Sequence, residues 1–98
     1  MTIKSKKENE KLIVYIDGSI DTSTSPSLLD FLQKEMHALK ELELDFSKVE
    51  YVSSAGLRVL LFAQKTMSSQ GKMVLSHVNS DVKEVFDLTC FTDILTII

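Results

Sequence analysis

Hydrophobic and polar residues alternate along residues 42–46 (LELDF), where two leucines and a phenylalanine are separated by acidic residues. This period of two is typical of a β-strand with one buried and one solvated face. The β-branched and aromatic run Leu12–Asp17 predicts a strand that is buried on much of both faces. The polar segment Thr2–Lys6 is expected to pair with it as the exposed arm of a hairpin. Met73–Val78 and the closing residues 94–98 (ILTII) predict the remaining strands.

A first helix is predicted around Pro26, because proline suits the first helical position, where its missing N–H would be unpaired in any case. This assignment makes Ser25 the N-cap. The apolar residues that follow recur every three or four positions and form one stripe, as on a helix that packs against a core. They are Leu28, Leu29, Leu32, Met36 and Leu39.

The most apolar helix is predicted to begin near Ser54, with Gly71 as its C-terminal cap. A helical wheel of residues 57–70 places the core face on the arc of Val59, Leu60, Ala63 and Met67. The opposite arc is polar and carries Arg58, Lys65, Ser68 and Ser69. Leu61 lies among these polar residues and Leu57 at their border. Isolated exposed leucines are ordinary, but a leucine beside Arg58 also suits a small docking surface.

The last helix is expected to begin near Asn79, Ser80 or Asp81, each of which is a suitable N-cap. If Asp81 caps the helix, Glu84 completes a capping box. The apolar residues of this helix would face the core. They are Val82, Val85 and Phe86.

These elements alternate in the order β-β-α-β-α-β-α-β. Three consecutive strand–helix–strand units favour an α/β fold, with a mixed, mostly parallel sheet and helices packed on it. The 98 residues suffice for one hydrophobic core and leave no room for a second. No repeat or flexible linker interrupts the chain, so we expect one domain over residues 1–98.

The charge balance argues against nucleic acid as a partner. The 11 basic residues are interleaved with 14 acidic ones, and the net charge is −3, whereas a duplex-binding surface needs concentrated lysine and arginine. The longest apolar run, Val59–Ala63, is too short to cross a bilayer. Neither a signal peptide nor a disulfide is indicated, since Cys90 is the single cysteine and charged residues follow Lys4. We therefore expect a cytoplasmic protein.

Catalytic motifs are missing from the sequence. The serines lie in no G-x-S-x-G elbow, and only His37 and His77 could serve as a base. We expect His37 on the polar side of the first helix and His77 as a hydrogen-bonded residue at the end of a strand. The chain is therefore not expected to be an enzyme.

Cofactor and metal sites are not indicated either. The glycines are scattered and form neither a dinucleotide-binding nor a Walker A motif. The aspartates that could be combined into a metal cluster each lie at the end of an element, where capping and turn roles are expected. They are Asp17, Asp21, Asp45 and Asp81.

Ser53 and Ser54 stand at the start of the most apolar helix, and two explanations are open. A serine hydroxyl is a common N-cap, because it accepts a hydrogen bond from an unpaired backbone N–H. Alternatively, one hydroxyl is modified reversibly, since the first N–H groups of a helix carry partial positive charge and favour an anion. A phosphoryl group would add about −1.5 to −2 charges there. The domain would tolerate this charge, whereas a partner covering it would not.

The run LELDFSKVEYVSSAGLRVLL, residues 42–61, resembles the central signature of the bacterial anti-sigma factor antagonists, which are STAS domains. That signature is a strand ending in Leu-Asp-φ-Ser, where φ is apolar, followed by Asp-Ser-Ser/Thr-Gly-Leu at a helix start. The upstream GSIDTSTSPSLLDFL is similar to the Gly-x-φ-Asp segment of the family. The tail VNSDVKEVFDLTCFTDILTI is similar to its last helix and strand. The resemblance covers nearly the whole chain.

The resemblance implies a small cytoplasmic protein that switches transcription by exchanging partners. In its unphosphorylated form, such a protein binds an anti-sigma factor that is also a serine kinase, and so releases the sigma factor. The kinase phosphorylates the serine two positions before the Gly-Leu pair, which is Ser54 here. A PP2C-type phosphatase then restores binding. The partner-binding residues that the resemblance implies are Asp21, Ser53, Ser54, Gly56, Leu57, Arg58 and Leu61.

Two positions depart from the family pattern. Ser53 replaces the usual aspartate before the modified serine, which makes Ser53 the second choice for phosphorylation. The same departure motivates an alternative function, a non-switching adaptor subunit of a transporter ATPase or a signalling scaffold. Cys90 stands where the family often has glycine after the last helix, and a positive φ at this position would strain a cysteine.

Overall fold

Four strands form one mixed sheet in the order β1-β2-β3-β4 in the computed structural model, which describes residues 1–98. The strands are β1 (Thr2–Glu8), β2 (Lys11–Asp17), β3 (Glu41–Lys48) and β4 (Lys72–Ser76). β1 and β2 form an antiparallel hairpin, whereas β2, β3 and β4 run parallel to one another. The predicted α/β class with a mostly parallel sheet is therefore confirmed.

Two of the three helices supply the crossovers that join the parallel strands, and the third follows β4. The helices are α1 (Ser25–Glu35), α2 (Ser54–Ser68) and α3 (Ser80–Leu88), and a short 3-10 turn follows at Phe91–Asp93. Every second residue of the strands packs into one hydrophobic core together with the apolar stripes of all three helices. Within the sheet, Val14 lies opposite Leu44, and Leu44 lies opposite Leu75. The other face of the sheet is not covered by a helix. No helix is both long and apolar enough to cross a membrane.

Helix α1 differs from the prediction at both ends. Its N-cap is Thr24 rather than the predicted Ser25. Ser25 is buried, and its hydroxyl donates a hydrogen bond to the carbonyl oxygen of Asp21. The helix ends at Glu35, and Ala38 (φ 60°) reverses the chain, so Leu39 reaches the core from a turn. The apolar stripe thus continues beyond the helix itself.

Gly71 is not the αL cap that the sequence predicts. Helix α2 ends at Ser68 with Ser69 as its C-cap, and Gly71 has no positive φ. Glycine is needed there for a different reason: a Cβ atom would lie 2.0 Å from the carbonyl oxygen of Lys40. The same carbonyl accepts a hydrogen bond from the N–H of Lys72 at 3.0 Å, so the close approach aligns β4 beside β3.

The C-terminal region follows the prediction only in part. Asn79 caps α3 by accepting a hydrogen bond from Val82 N–H at 2.8 Å, so the alternative capping box from Asp81 does not form. The predicted last strand is reduced to a single parallel bridge between Ile97 and Leu75, because the chain first winds through the 3-10 turn. Cys90 has a positive φ of 63°, the conformation expected at a position where the family often has glycine.

Candidate functional site

The two serines at the start of α2 have different surroundings. Ser53 is the N-cap, and its half-buried side chain accepts a hydrogen bond from Gly56 N–H at 3.4 Å. Ser54 is the first helical residue, is exposed, and makes no side-chain hydrogen bond. The capping role therefore falls to Ser53, and the Ser54 hydroxyl is free at the surface.

A second loop is fixed directly beside these serines. Ile20 N–H donates to the Tyr51 carbonyl at 2.9 Å, and Ser53 N–H donates to the Ile20 carbonyl at 2.9 Å. These bonds form an isolated parallel bridge between Ile20 and Val52. The bridge brings Asp21, the next residue along the chain, to the same end of the molecule as Ser53.

Gly56 allows this loop to approach the first turn of α2. A Cβ atom on Gly56 would lie 2.7 Å from the Ile20 carbonyl oxygen and 2.9 Å from a methyl carbon of Val52. Such contacts are not tolerated without movement of the backbone. Gly56 is therefore buried and does not belong to the exposed surface. Its role is to let the Ile20 loop pack closely against the first turn of α2.

Asp21 stabilises the turn before α1. Its Oδ1 accepts hydrogen bonds from Ser23 N–H (2.9 Å), the Ser23 hydroxyl (2.8 Å) and Thr24 N–H (3.1 Å). The hydroxyl of Ser23, together with these backbone N–H groups, holds the pKa of Asp21 below its usual value. Asp21 thus remains a half-buried carboxylate with one oxygen committed to the turn.

The exposed face of α2 contains only part of the predicted partner surface. Leu57, predicted at the border of the polar arc, is only 7% exposed and belongs to the core. Arg58 is exposed and has no carboxylate within salt-bridge distance, and Leu61 is half-buried. Ser54 and Arg58 are four residues apart and so lie on the same face of the helix.

A shallow groove of about 230 Å³ runs between the starts of α1 and α2. We call it the α1–α2 groove; its lining includes Thr22, Pro26, Leu29, Ala55, Arg58 and Val59. The sequence indicates which residues lie on each helix but not that these two helix starts are adjacent, because their contact depends on the bridge between Ile20 and Val52.

Tyr51 is an exposed aromatic residue that no sequence motif marks. It is 53% exposed, although its backbone is fixed by the hydrogen bond from Ile20. The available signal was its position in the sequence, two residues before the N-cap Ser53. Tyrosine is also enriched among the residues that dominate protein interfaces.

The histidines do not form a catalytic arrangement with these serines. His37 is exposed and lies beyond the end of α1 rather than on its polar side. His77 follows β4 with φ 57°, and its Nδ1 lies 3.4 Å from Oδ2 of Asp45. No group of three or more histidine, cysteine, aspartate or glutamate side chains is arranged to hold a metal ion.

Asp45 is only 8% exposed, although the alternating pattern predicts a solvated position. Burial opposes its ionisation, but hydrogen bonds from Ser47 and the neighbouring His77 outweigh this effect and hold the pKa of Asp45 below its usual value. The Asp45 Oδ1 accepts from Ser47 N–H at 2.9 Å. Asp45 therefore fixes the beginning of the loop that leads to Ser53.

The family model for the STAS domain matches residues 2–98 of this chain. The chain belongs to the STAS domain family. The anti-sigma-B factor antagonist of Listeria monocytogenes is 28% identical over 96 residues, which cover 94% of this chain and 82% of that protein. The family predicted from the 42–61 motif is thus confirmed. Because such relatives are regulatory proteins, the prediction that this STAS domain is not an enzyme is also confirmed.

Solved structures show the same fold. An anti-sigma factor antagonist from Mycobacterium paratuberculosis has a TM-score of 0.87 and 20% identity, with coverage of 98% of this chain and 83% of that one. SpoIIAA in its unphosphorylated form has a TM-score of 0.83 and 12% identity, with coverage of 99% and 88%. The relatives together support anti-sigma factor antagonism as the general function and an anti-sigma factor as the partner.

Proposed function

We propose that this STAS domain binds an anti-sigma factor with serine kinase activity and is switched off when that kinase phosphorylates Ser54. In the unphosphorylated state the complex forms and the sigma factor is released. A PP2C-type phosphatase removes the phosphate and restores binding. The kinase and its ATP imply a cytoplasmic setting for this cycle.

The observation that carries the proposal is the contrast between the two serines. The Ser54 hydroxyl is exposed and unbonded, so a kinase can reach it without disturbing any contact. The Ser53 hydroxyl is half-buried and used as the N-cap, whose loss costs about 0.5–2 kcal/mol. This contrast favours Ser54 over Ser53 as the phosphorylated residue.

A phosphate on Ser54 is compatible with the fold. The first N–H groups of α2 have no helical partner and carry partial positive charge. No acidic residue lies in the first turn of α2, and Arg58 offers a free guanidinium one turn further on. The local stabilisation of an anion there is about 0.3–1 kcal/mol, rising to about 2 kcal/mol when partly buried.

The same phosphate is incompatible with a partner that covers the helix start. Such a partner would have to desolvate about −1.5 to −2 charges or place acidic groups against them. A penalty of about 3–4 kcal/mol weakens binding by two to three orders of magnitude. SpoIIAA, which shares this fold, has been solved in both an unphosphorylated and a phosphorylated form.

Phosphorylation by the kinase tests the proposal directly. We expect one phosphate when the purified protein is incubated with its cognate anti-sigma kinase and ATP, located at Ser54 by mass spectrometry. The Ser54→Ala variant should bind the kinase but accept no phosphate, whereas Ser53→Ala should still be phosphorylated. Phosphate on neither serine would overturn the switch.

The adaptor alternative makes a different prediction in a pull-down from cell extract. A non-switching subunit would recover a transporter ATPase or a signalling scaffold and would leave the extract with no phosphate on either serine. Recovery of a sigma-regulating kinase, together with modification of Ser54, supports the switch and excludes the adaptor role.

A further inference from the structure

The largest concavity of the molecule shares no residue with the α1–α2 groove. Its volume is about 520 Å³, which lies within the usual range for small-molecule sites. It opens at the carboxyl ends of β2 and β3 and beside the beginning of β1. Its polar lining residues are Thr2, Lys4, Tyr15, Asp17, Ser47 and Lys48. We call it the sheet-edge pocket.

Strand pairing places these side chains next to one another. Lys4 lies opposite Tyr15, and Thr2 lies opposite Asp17, which in turn pairs with Lys48. The pairing of β2 with β3 is irregular between Tyr15 and Asp17, because an extra residue of β3 is accommodated there. A bulge of this kind redirects side chains and is common next to binding sites.

The charges in this pocket are unused within the chain. Lys4 and Lys48 have no carboxylate within 4 Å, in contrast to Lys6, which pairs with Glu8 at 3.0 Å. Asp17 also has no cationic partner at salt-bridge distance. The hydroxyls of Thr2, Tyr15 and Ser47 add hydrogen-bonding groups to the lining. The pocket therefore offers two cations, three hydroxyl groups and one carboxylate acceptor.

We propose that the sheet-edge pocket binds a small hydroxylated phosphate monoester. Its phosphate would lie between Lys4 and Lys48, since a lysine ammonium binds phosphate as a compact point charge. A hydroxyl of the ligand would donate a hydrogen bond to the Asp17 carboxylate. Because this carboxylate is negatively charged, it disfavours an anion that has no hydrogen-bond donor. This assignment is independent of phosphorylation at Ser54 and involves no covalent step.

Glycerol 3-phosphate is a suitable probe, titrated into the full chain and followed by amide chemical shifts. We expect saturable shifts at Thr2, Tyr15 and Lys48, with a Kd of about 1 mM or tighter. Lys4→Ala and Lys48→Ala should each raise the Kd by about fivefold or more, as expected for loss of a charge-assisted hydrogen bond. Lys6→Ala is the matched control and should leave the Kd within about twofold.

Two further ligands decide the ligand class. Inorganic phosphate should bind several times more weakly than glycerol 3-phosphate, and glycerol alone should not bind. The proposal would be overturned if inorganic phosphate bound as tightly as glycerol 3-phosphate. It would also be overturned if Lys6→Ala raised the Kd as much as Lys4→Ala and Lys48→Ala do, or if the amides of the pocket showed no saturable shift. All variants replace exposed side chains, and Lys4→Gln provides a second test of the charge if Lys4→Ala alters the spectrum as a whole.

Discussion

The carbonyl oxygen of Ile20 lies 2.7 Å from the point where a Cβ atom on Gly56 would stand. This close approach holds the loop before α1 against the first turn of α2. The same carbonyl accepts the backbone hydrogen bond from Ser53, so one oxygen aligns both the loop and the helix cap. The surface around Ser54 depends on this contact.

Gly56→Ala should therefore destabilise the domain by about 1–3 kcal/mol, because the added methyl group collides with backbone and forces a shift. Urea denaturation measures this change in the free energy of unfolding. The opposite sign is expected if only helix propensity matters, since alanine is favoured over glycine by about 1 kcal/mol. Lys65→Ala, on the exposed side of the same helix, is the control and should change stability by less than about 0.5 kcal/mol.

Cys90→Gly should stabilise the domain by about 1 kcal/mol. Cys90 has φ 63°, a left-handed conformation that costs a residue with a Cβ atom about 1–2 kcal/mol, whereas glycine adopts it readily. Part of this gain is offset because glycine makes the unfolded chain more flexible. Thermal or urea denaturation measures the difference.

Cys90→Ala separates backbone strain from loss of the thiol. Alanine keeps the Cβ atom, so this variant should show none of the stabilisation expected for glycine. If Cys90→Ala gains as much stability as Cys90→Gly, the strain explanation is wrong and the thiol itself is unfavourable.

Asp45 should make stability depend on pH in the acidic range. Its folded-state pKa is below the usual value, so its contribution is fully present above the unfolded-state pKa of about 3.9. The contribution is lost as the pH falls through the lower folded-state pKa. Asp45→Asn should cost about 1–3 kcal/mol at pH 6, and this difference from the unmodified protein should narrow in acid.

Denaturation curves at a series of pH values measure this dependence. Asp30→Asn is the control, because it removes only an exposed pair with Lys34 and should cost less than about 1 kcal/mol. A difference between Asp45→Asn and the unmodified protein that stays constant from pH 6 into acid would contradict the assigned role of the Asp45 charge.

Tyr51→Ala should weaken binding of the anti-sigma kinase by about tenfold or more, since tyrosine is enriched among the residues that dominate protein interfaces. Stability should change little, because the side chain is more than half exposed. Tyr15→Ala is the matched control, as Tyr15 is also exposed but lies on the open face of the sheet. Calorimetry with the purified kinase compares the two; equal affinities would place Tyr51 outside the interface.

Local patterns were sufficient to predict most of the fold. The alternation in residues 42–46 marks β3, and the position of Pro26 places the start of α1 to within one residue. These signals depend on neighbours in sequence, which is why they can be read without coordinates. The central motif likewise led to the correct family.

The errors arose where distant residues decide the environment. Leu57 is buried in the core although its wheel position borders the polar arc, and Asp45 is buried beside His77, the residue that follows β4. The predicted last strand fails because the 3-10 turn leaves only Ile97 to bridge Leu75. The α1–α2 groove was also not predictable, since it exists only when two helix starts meet.

The affinity of the anti-sigma kinase for the domain before and after stoichiometric phosphorylation of Ser54 tests the central claim most directly. The account predicts that phosphorylation weakens binding by about 100-fold or more, while the melting temperature of the isolated domain is unchanged or slightly higher. Unchanged affinity, or loss of binding only because the phosphorylated domain has unfolded, would contradict it.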